Sequence, residues 1–283
     1  MSRTFRFQGA VGLVTGAGGG IGAALALELA RRGCALMLVD RDADGLARTA
    51  RAAAQAGAAV ETAVIDLVDA AAIRALPEAV AARFGGLDLL VNNAGVALGG
   101  RFADTHLDDF EWLMDVNLRA VVRLCHAFLP MLTARPAAQI VNVSSVFGLI
   151  GVPEQVAYCT SKFAVRGFSE ALRHEYAGTG LGVSVVHPGG VATAIARNAR
   201  NPRLPDDPVA AEAARLAIEA GRVAFEKFLT LAPERAAAEI ARGIERRAPR
   251  ILIGRDARNI ALIQRLMPAG YWGLIARLSA GRT

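Results

Sequence analysis

The chain is poor in lysine, tyrosine and cysteine, and each shortage narrows what the protein can be. Only two of its 32 basic residues are lysines, Lys162 and Lys227, and it has three tyrosines and three cysteines. The cysteines have no metal-ligand spacing, which predicts reduced thiols, no bound metal and a cytoplasmic protein. No run approaches the roughly 18 apolar residues of a membrane-spanning helix, and the first residues lack the apolar segment of a secretory signal.

The overall composition indicates a folded globular protein. Hydrophobic residues make up 53% of the chain and charged residues 20%, which is far from the composition of a disordered protein. The net charge is +6, but the arginines are spread along the chain, and no basic run is interleaved with aromatic residues. We therefore expect no nucleic-acid partner.

Short apolar runs alternate with alanine-rich helical stretches over the first 190 residues. The predicted strands are 10–16, 34–40, 60–66, 87–95, 139–145 and 183–189, with a last strand at 250–254. The predicted helices between them are 22–33, 42–56, 69–84, about 106–132 and one around Tyr158. Nearly continuous apolar strands are typical of parallel sheets covered on both faces. The alternation therefore predicts an α/β fold with a doubly wound, mostly parallel sheet of seven strands.

The composition shows no break between domains, so we interpret residues 1–283 as one domain. Residues 1–195 form the predicted cofactor-binding and catalytic core, and 196–249 a helical substrate lid with helices at 209–229 and 233–247. Residues 250–283 hold the last strand and an amphipathic tail that is apolar and basic. We expect this tail to pack over the pocket or across a subunit interface, with peripheral contact to a membrane surface as the alternative.

A glycine-rich stretch, TGAGGGIG at 15–22, lies between the first strand and the first helix. Glycines at this position allow a tight turn and let a pyrophosphate approach the backbone N–H groups of the helix. Asp40 ends the second strand, where its carboxylate can accept hydrogen bonds from the adenosine ribose; the alternative is that it caps the next helix. A carboxylate there repels a 2′-phosphate, which favours NAD over NADP. Arg41 argues the other way, because it could pair with that phosphate.

Eight short motifs together resemble the short-chain dehydrogenase/reductase family. They are TGAGGGIG (15–22), Asp40, Asp66, NNAG (92–95), Asn117, VSS (143–145), Tyr158-x-x-x-Lys162 and HPGGVAT (187–193). The resemblance covers residues 1–195 well and residues 196–283 loosely. It implies a Rossmann fold, an NAD(P)-dependent oxidoreductase acting on CH–OH groups, and a homodimer or homotetramer.

The resemblance also implies roles for individual residues. The implied catalytic residues are Asn117, Ser145, Tyr158 and Lys162. Besides Tyr158 and Lys162, the residues implied to contact the cofactor are Gly16, Gly18, Gly20, Ile21, Gly22, Asp40, Arg41, Asp66, Leu67, Val68, Asn93, Ala94, Gly95, Pro188, Gly189, Val191 and Thr193. His187 is interpreted as structural, because no partner pattern suggests a catalytic triad.

Physical chemistry supports the tyrosine–lysine pair independently. Residues four apart share a helix face, although many such pairs are only helix surface. Oxidation of an alcohol needs a base for the hydroxyl proton, and a free tyrosine with a pKa of about 10 is a poor base at neutral pH. We expect Lys162 to lower the pKa of Tyr158 and to donate to the nicotinamide ribose. Ser145 would orient the substrate oxygen, and either the backbone or the side chain of Asn117 would hold a water that relays protons to Lys162, unless Asn117 is merely a solvated residue.

The predicted substrate pocket is apolar. Beside Ser145 and Tyr158 we expect it to be lined by Phe147, Leu149, Ile150, Val152, Ala194 and Ile195, with Arg197 as a reserve anion ligand. This lining favours a secondary alcohol or ketone on a steroid-, retinoid- or lipid-like skeleton. The alternatives are an NADP-dependent ketone reductase of the same fold and a cofactor-binding redox sensor without turnover.

Overall fold

Seven parallel strands form the centre of the computed structural model, which describes residues 4–202, 204 and 206–280. Residues 1–3 of the predicted core and 281–283 of the predicted tail lie outside the described residues. The strands are β1 Val11–Thr15, β2 Ala35–Asp40, β3 Val60–Val64, β4 Leu89–Asn92, β5 Ala138–Val143, β6 Leu181–Pro188 and β7 Arg250–Ile253. Every strand lies close to its predicted position.

The strands are ordered β3-β2-β1-β4-β5-β6-β7, and all six pairings are parallel. The chain winds outward from β1 in one direction and then from β4 in the other. Such a reversal opens a crevice beyond the carboxyl ends of the strands, which is where ligands bind in open α/β sheets. The doubly wound sheet predicted from the alternating pattern is confirmed.

Ten helices of the described residues surround this sheet. They are α1 Gly20–Arg31, α2 Ala43–Gln55, α3 Ala70–Phe84, α4 Leu107–Met114, α5 Ala120–Thr133, α6 Val156–Glu175, α7 Pro208–Glu226, α8 Pro233–Glu245, α9 Gly254–Leu266 and α10 Tyr271–Ala280. Among the described residues, none of the helices combines the length and the apolar character needed to cross a bilayer.

Each face of the sheet is covered by its own apolar layer. On one face, α1, α2 and α8 contribute buried residues such as Leu25, Leu46 and Ile240. On the other face, α3, α5 and α6 contribute residues such as Ile73 and Phe128. Burial on both faces explains why the inner strands β1, β4 and β5 are largely apolar, whereas the edge strand β3 is mostly exposed.

Two helical segments differ from the sequence prediction. The single helix expected over about 106–132 is divided by a π-helical turn at Asp115–Arg119, which joins α4 to α5. The predicted lid at 196–249 is also too long, because α8 packs against α1 as part of the core layer. Amphipathic periodicity predicts both segments as helices, but it does not say what their apolar faces contact. Only the segment before α8 therefore remains a candidate lid.

A buried polar chain links β4, β5 and α6 in the middle of the apolar layer. Asn92 Nδ2 donates to Asn142 Oδ1 (2.8 Å), and Asn142 Nδ2 donates to Ser169 Oγ (2.9 Å). Polar groups withdrawn from water must be paired in this way, because an unpaired one costs free energy. The chain of bonds fixes α6 relative to the ends of both strands, where the candidate site lies.

Replacement of Phe128 by alanine tests the core. Phe128 is fully buried, so Phe128→Ala should lower the free energy of unfolding by about 3–5 kcal/mol through lost burial and a residual cavity. Phe102→Ala is the matched control, because Phe102 is 61% exposed. Urea unfolding measures both variants, and equal losses would contradict the packing described here.

Candidate active site

The four residues assigned catalytic roles lie together at the carboxyl edge of the sheet. Ser145 follows β5 directly, Tyr158 and Lys162 lie on the first half of α6, and Asn117 lies in the π-helical turn. Three of the four, Asn117, Ser145 and Lys162, are buried. The fold therefore gathers residues that are up to 45 positions apart in the chain, from Asn117 to Lys162.

Lys162 is a buried cation at the centre of this cluster. Its side chain is 3% exposed, and Nζ donates to the carbonyl oxygen of Val143 at 3.1 Å. A Cβ atom at Gly95 would lie 3.3 Å from Nζ, so the absence of a side chain there leaves room for the ammonium group. Burial lowers the pKa of Lys162 to about 8, because a charged amine loses its hydration.

Tyr158 lies one helical turn before Lys162 and on the same side of α6. The Lys162 Nζ atom is 5.6 Å from the centre of the Tyr158 ring. Desolvation raises the pKa of Tyr158 to about 12, although the residue as a whole is only partly buried, and a hydrogen bond with Ser145 acts in the opposite direction. The expectation that the pKa of Tyr158 lies below its usual value is wrong for the protein's own groups, because desolvation of the phenol is the largest cause of its shift.

The two serines after β5 face different partners. Ser145 Oγ accepts a hydrogen bond from the Phe147 N–H (3.1 Å), which starts a short 3₁₀ turn. Ser144 Oγ donates to the Lys162 carbonyl oxygen (2.8 Å) and so ties β5 to α6. His187 Nδ1 lies 2.8 Å from the Ser145 carbonyl oxygen. Burial lowers the pKa of His187 to about 4, so the ring is neutral and its Nδ1–H donates.

The side chain of Asn117 is occupied by protein partners. Its Oδ1 accepts from the Val96 N–H (2.8 Å), and its Nδ2 donates to the Val96 carbonyl oxygen (3.0 Å) and to Ser161 Oγ (3.1 Å). Asn117 is therefore not a solvated helix residue. Of the two ways proposed for it to hold a water, the backbone is the one that these contacts leave open. Breaks of this π-helical kind often lie at functional sites.

The glycine loop is built for close approach. Gly16 and Gly20 have positive φ angles of 67° and 54°, which favour glycine. A Cβ at Gly22 would overlap the Gly16 carbonyl oxygen, and one at Gly16 would lie 2.8 Å from the Ala94 Cα. The residue before α1, Gly19, provides no side-chain cap, so the first N–H groups of the helix stay available.

Thr15 is a site residue that the sequence analysis did not single out. Its Oγ1 accepts from the N–H groups of Asn93 (3.0 Å) and Ala94 (3.1 Å). Asn93 Nδ2 returns a bond to the Thr15 carbonyl oxygen (2.9 Å). These bonds fasten the end of β1 to the end of β4. A threonine at the end of a strand gives no local signal, because its partners follow 78 residues later.

Asp40 faces the glycine loop. Its carboxylate accepts from the Gly18 N–H (2.8 Å) and from the Asp42 N–H (2.9 Å). The cap of α2 is instead Asp42, which accepts from the Gly45 N–H at 3.1 Å. The alternative that Asp40 caps this helix is therefore wrong. Arg41 Nη1 lies 4.0 Å from a carboxylate oxygen of Asp66.

The segment from Pro188 to Thr193 closes the site from the β6 side. Thr193 lies against the glycine loop, since a Cβ at Gly20 would be 3.0 Å from the Thr193 Cγ2. The Gly190 N–H donates to Asp256 Oδ2 of α9 at 2.7 Å. Asp256 belongs to the tail, where the sequence motifs are weakest, and it was not predicted as a site residue.

The predicted substrate residues differ in how deeply they are buried. The Phe147 ring meets the Tyr158 ring edge to face at 6.1 Å and lies 6.4 Å from Phe225 of α7. Leu149 and Ile150 are buried, so they support this wall from behind. Val152, Ala194 and Ile195 are half-buried, whereas Arg197 is exposed.

Comparison with known proteins adds independent information. The family model described as short chain dehydrogenase matches residues 10–204. The chain is 41% identical over 273 residues to SadH of Mycobacterium tuberculosis, a protein named as an oxidoreductase, with 95% of each chain covered. It is similar in structure to a short chain dehydrogenase/reductase from Burkholderia phymatum in complex with NAD, with a TM-score of 0.83, 30% identity, and 93% of this chain and 95% of that chain covered. It is also similar to a short chain dehydrogenase from Burkholderia cenocepacia in complex with NADP, with a TM-score of 0.74, 29% identity, and 90% of this chain and 100% of that chain covered.

The fold and the family match together define the class of protein, an oxidoreductase that acts on alcohols or ketones with a nicotinamide cofactor. The chain belongs to the short-chain dehydrogenase/reductase family. The predicted family, fold and enzyme class are therefore confirmed.

Lys162→Met should reveal the cost of the buried charge. The pKa of Lys162 falls from 10.5 to about 8 on folding. Between these values the unfolded chain binds more protons, so the stability of the wild type rises with pH. From about pH 7.5 to about pH 9.5 the wild type should gain about 2 kcal/mol relative to Lys162→Met. Urea unfolding at both pH values measures this difference.

Lys227→Met is the matched control for this measurement. Lys227 is the other lysine of the chain and is exposed. The difference from wild type should change with pH less for Lys227→Met than for Lys162→Met. A Lys162→Met difference that changes no more than this would show that Lys162 is not charged and buried as described.

Proposed function

We propose that this protein transfers hydride between NAD and a secondary alcohol or ketone on a hydrophobic skeleton. The observation that carries the proposal is the convergence of Ser145, Tyr158 and Lys162 at the carboxyl edge of the sheet, beside a glycine-rich loop at the start of α1. The first group can move a proton, and the second leaves room for a dinucleotide.

The residues present fit a dinucleotide cofactor. A side chain at Gly16 or Gly22 would clash with neighbouring atoms, so only glycine fits at these positions. Without side chains there, a pyrophosphate can approach the backbone N–H groups at the start of α1. Asp40 is held at the edge of the same loop, where its remaining lone pairs can accept from ribose hydroxyls. Lys162 has N–H donors beyond the one used by Val143 for the second ribose.

The surroundings of Asp40 favour NAD over NADP. Its carboxylate lies against Gly18, where a 2′-phosphate would meet a like charge. Arg41 forms a loose ion pair with Asp66, so its guanidinium is less available to bind the 2′-phosphate of NADP. The NADP-dependent ketone reductase remains the alternative that cofactor measurements decide.

Asp40→Asn should shift the cofactor preference. Removal of the charge should raise kcat/KM for NADP⁺ relative to NAD⁺ by about tenfold. This factor corresponds to a loss of about 1.4 kcal/mol of repulsion between the carboxylate and the 2′-phosphate. Asp42→Asn is the matched control, because Asp42 lies two residues away and only caps α2. Initial rates with both cofactors measure the ratio, and a wild type that prefers NADP⁺ would contradict the assignment.

The chemistry of the protein side follows from the pKa directions. When bound, the nicotinamide supplies the hydride donor or acceptor and, in its oxidised form, a positive charge. The Tyr158 hydroxyl is protonated at neutral pH, so it is ready to donate to a carbonyl oxygen in the reduction direction. In the oxidation direction Tyr158 must first release its own proton, which we assign to the relay of Lys162 and the water held by Asn117, and the resulting phenolate then accepts the hydroxyl proton of the alcohol. Ser145 orients the substrate oxygen, and the ammonium group of Lys162 favours the phenolate against the desolvation that raises the pKa of Tyr158.

The apolar wall and the lid support a hydrophobic substrate. Phe225 of α7 lies on Phe147, which in turn touches Tyr158, so the lid covers the catalytic tyrosine with aromatic surface. The start of the lid is fastened by Arg200, whose guanidinium lies 3.5 Å from the centre of the Trp112 ring and pairs with Asp109 at 2.9 Å. A closed apolar site excludes water from the reacting atoms. These contacts favour the steroid-, retinoid- or lipid-like class.

The C-terminal tail supports the first of its two interpretations. Tyr271 contacts the backbone at Gly151, which favours packing near the pocket over contact with a membrane surface. The membrane alternative rests on Leu262 and Leu266, which are exposed beside Arg265. We also propose the division of the chain into core, lid and tail. Assembly into a homodimer or homotetramer is likewise proposed.

Tyr158→Phe tests the mechanism. Loss of the hydroxyl should reduce kcat on secondary alcohols and ketones by about a hundredfold or more, while NADH binding measured by fluorescence is retained. Tyr176→Phe, at the far end of α6, is the control and should keep full activity. Unchanged activity in Tyr158→Phe would refute the assigned role. NADH binding by a wild type that turns over no member of a substrate panel would favour the redox-sensor alternative.

A further inference from the structure

We propose that the C-terminal tail, residues 254–280, braces the two loops that enclose the reacting atoms, with Asp256 and Tyr271 as positioning residues. The inference rests on the proposed function, because it assumes that the loop after β6 contacts the cofactor and that the loop after Ser145 lines the substrate pocket. It assigns a role to the part of the chain that the family motifs do not reach.

The first contact is made by Asp256 in the first turn of α9. Its Oδ2 accepts from the Gly190 N–H at 2.7 Å. A Cβ atom at Gly189 would overlap the Asp256 carboxylate, so this glycine leaves the space that the side chain occupies. A hydrogen bond to a charged acceptor is among the stronger ones in proteins. Asp256 therefore holds the backbone between Pro188 and Thr193 in place.

The second contact is made by Tyr271 at the start of α10. Its hydroxyl oxygen accepts from the Gly151 N–H at 2.8 Å, across 120 positions of the chain. A Cβ at Gly151 would lie 3.4 Å from the Tyr271 oxygen, in ordinary van der Waals contact, so the phenol packs directly on this position. Gly151 lies between Ser145 and Tyr158, so this bond fixes the loop that joins two catalytic residues.

The side chain next to Tyr271 reinforces the second contact. Trp272 lines a cavity of about 440 Å³ together with Gly151, Val152, Pro153, Val156, Cys159 and Thr160. The tail therefore contacts the substrate-side loop through Tyr271 and borders the same cavity as the first turn of α6 through Trp272. Val152 is one of the residues assigned to the substrate pocket, and Trp272 faces the same cavity.

The two contacts act together because they come from one continuous segment. α9 packs against β6 and against the short turn at Val146–Gly148, so it spans both loops. The bonds of Asp256 and Tyr271 then set the distance between the nicotinamide side and the substrate side. A reaction between two bound molecules depends steeply on such a separation.

The experiment compares four variants of the full chain. Asp256→Ala removes the acceptor for Gly190, while Asp256→Asn keeps a carbonyl oxygen in the same place. Tyr271→Phe removes only the hydroxyl group. Asp88→Ala is the matched control, because Asp88 also accepts from a backbone N–H, that of Val11 (2.8 Å), but at the opposite edge of the sheet.

The first readout is amide hydrogen exchange in the protein alone, which does not depend on activity. Asp256→Ala should speed exchange at Gly190, and Tyr271→Phe should speed exchange at Gly151, each by about tenfold. Because the tail is one segment, Asp256→Ala should also speed exchange at Gly151. Asp256→Asn should restore slow exchange at Gly190, and Asp88→Ala should leave both amides unchanged.

The second readout separates binding of the two ligands. Asp256→Ala should weaken NADH affinity, followed by fluorescence, by about tenfold and raise the cofactor KM more than it lowers kcat. Tyr271→Phe should raise the substrate KM severalfold with NADH affinity unchanged. Asp256→Asn should recover most of the lost affinity, and Asp88→Ala should change neither constant even where it lowers the melting temperature.

Two results would overturn the proposal. Exchange that is unchanged at both Gly190 and Gly151 would show that the tail does not hold these loops. Faster exchange with unchanged NADH affinity and unchanged substrate KM would show that the brace is structural only. A failure of the proposed function gives a different result. In that case the wild type binds no NADH, whereas hydrogen exchange at Gly190 and Gly151 still shows whether the tail holds the two loops.

Discussion

The buried ammonium group of Lys162 is the constraint around which the site is organised. Removal of a charge from water is costly, and one hydrogen bond to Val143 does not repay the loss. Three elements surround the amine. The end of β5 provides the carbonyl oxygen of Val143, α6 places Tyr158 on the same side, and Gly95 leaves room for the group. A core selected for stability alone would place an apolar side chain here, so the charge indicates a chemical task.

The site depends equally on positions that have no side chain. Gly16 and Gly22 allow the end of β1, the start of α1 and the end of β4 to approach within van der Waals contact. Gly189 and Gly190 do the same for the loop after β6, which meets Asp256 and the end of the lid. Close backbone approach presents N–H groups to a ligand and fixes the loops at once. The same glycines therefore hold the loops close together and keep side chains out of the proposed cofactor site.

Sequence reasoning succeeded where the relevant physics is local. All seven strands were predicted, and the inner ones gave the clearest signal, because strands buried on both faces are largely apolar along their own length. It failed where the outcome depends on contacts between distant segments. The helix predicted over about 106–132 is divided because Asn117 pairs with Val96, and α8 joins the core because α1 faces it. The direction of the Tyr158 pKa also depends on burial, which periodicity does not measure.

What the sequence determined by itself is the order and type of the elements, the family, and the residue types at the ends of the strands. These follow from patterns within a few residues and from motif spacing. The tertiary structure decided which groups meet: that Asp40 accepts from Gly18 of the glycine loop, that Thr15 joins β1 to β4, and that the tail reaches Gly190 and Gly151. Such contacts connect residues tens of positions apart, and only the packing of the sheet and its helices brings them within hydrogen-bond distance.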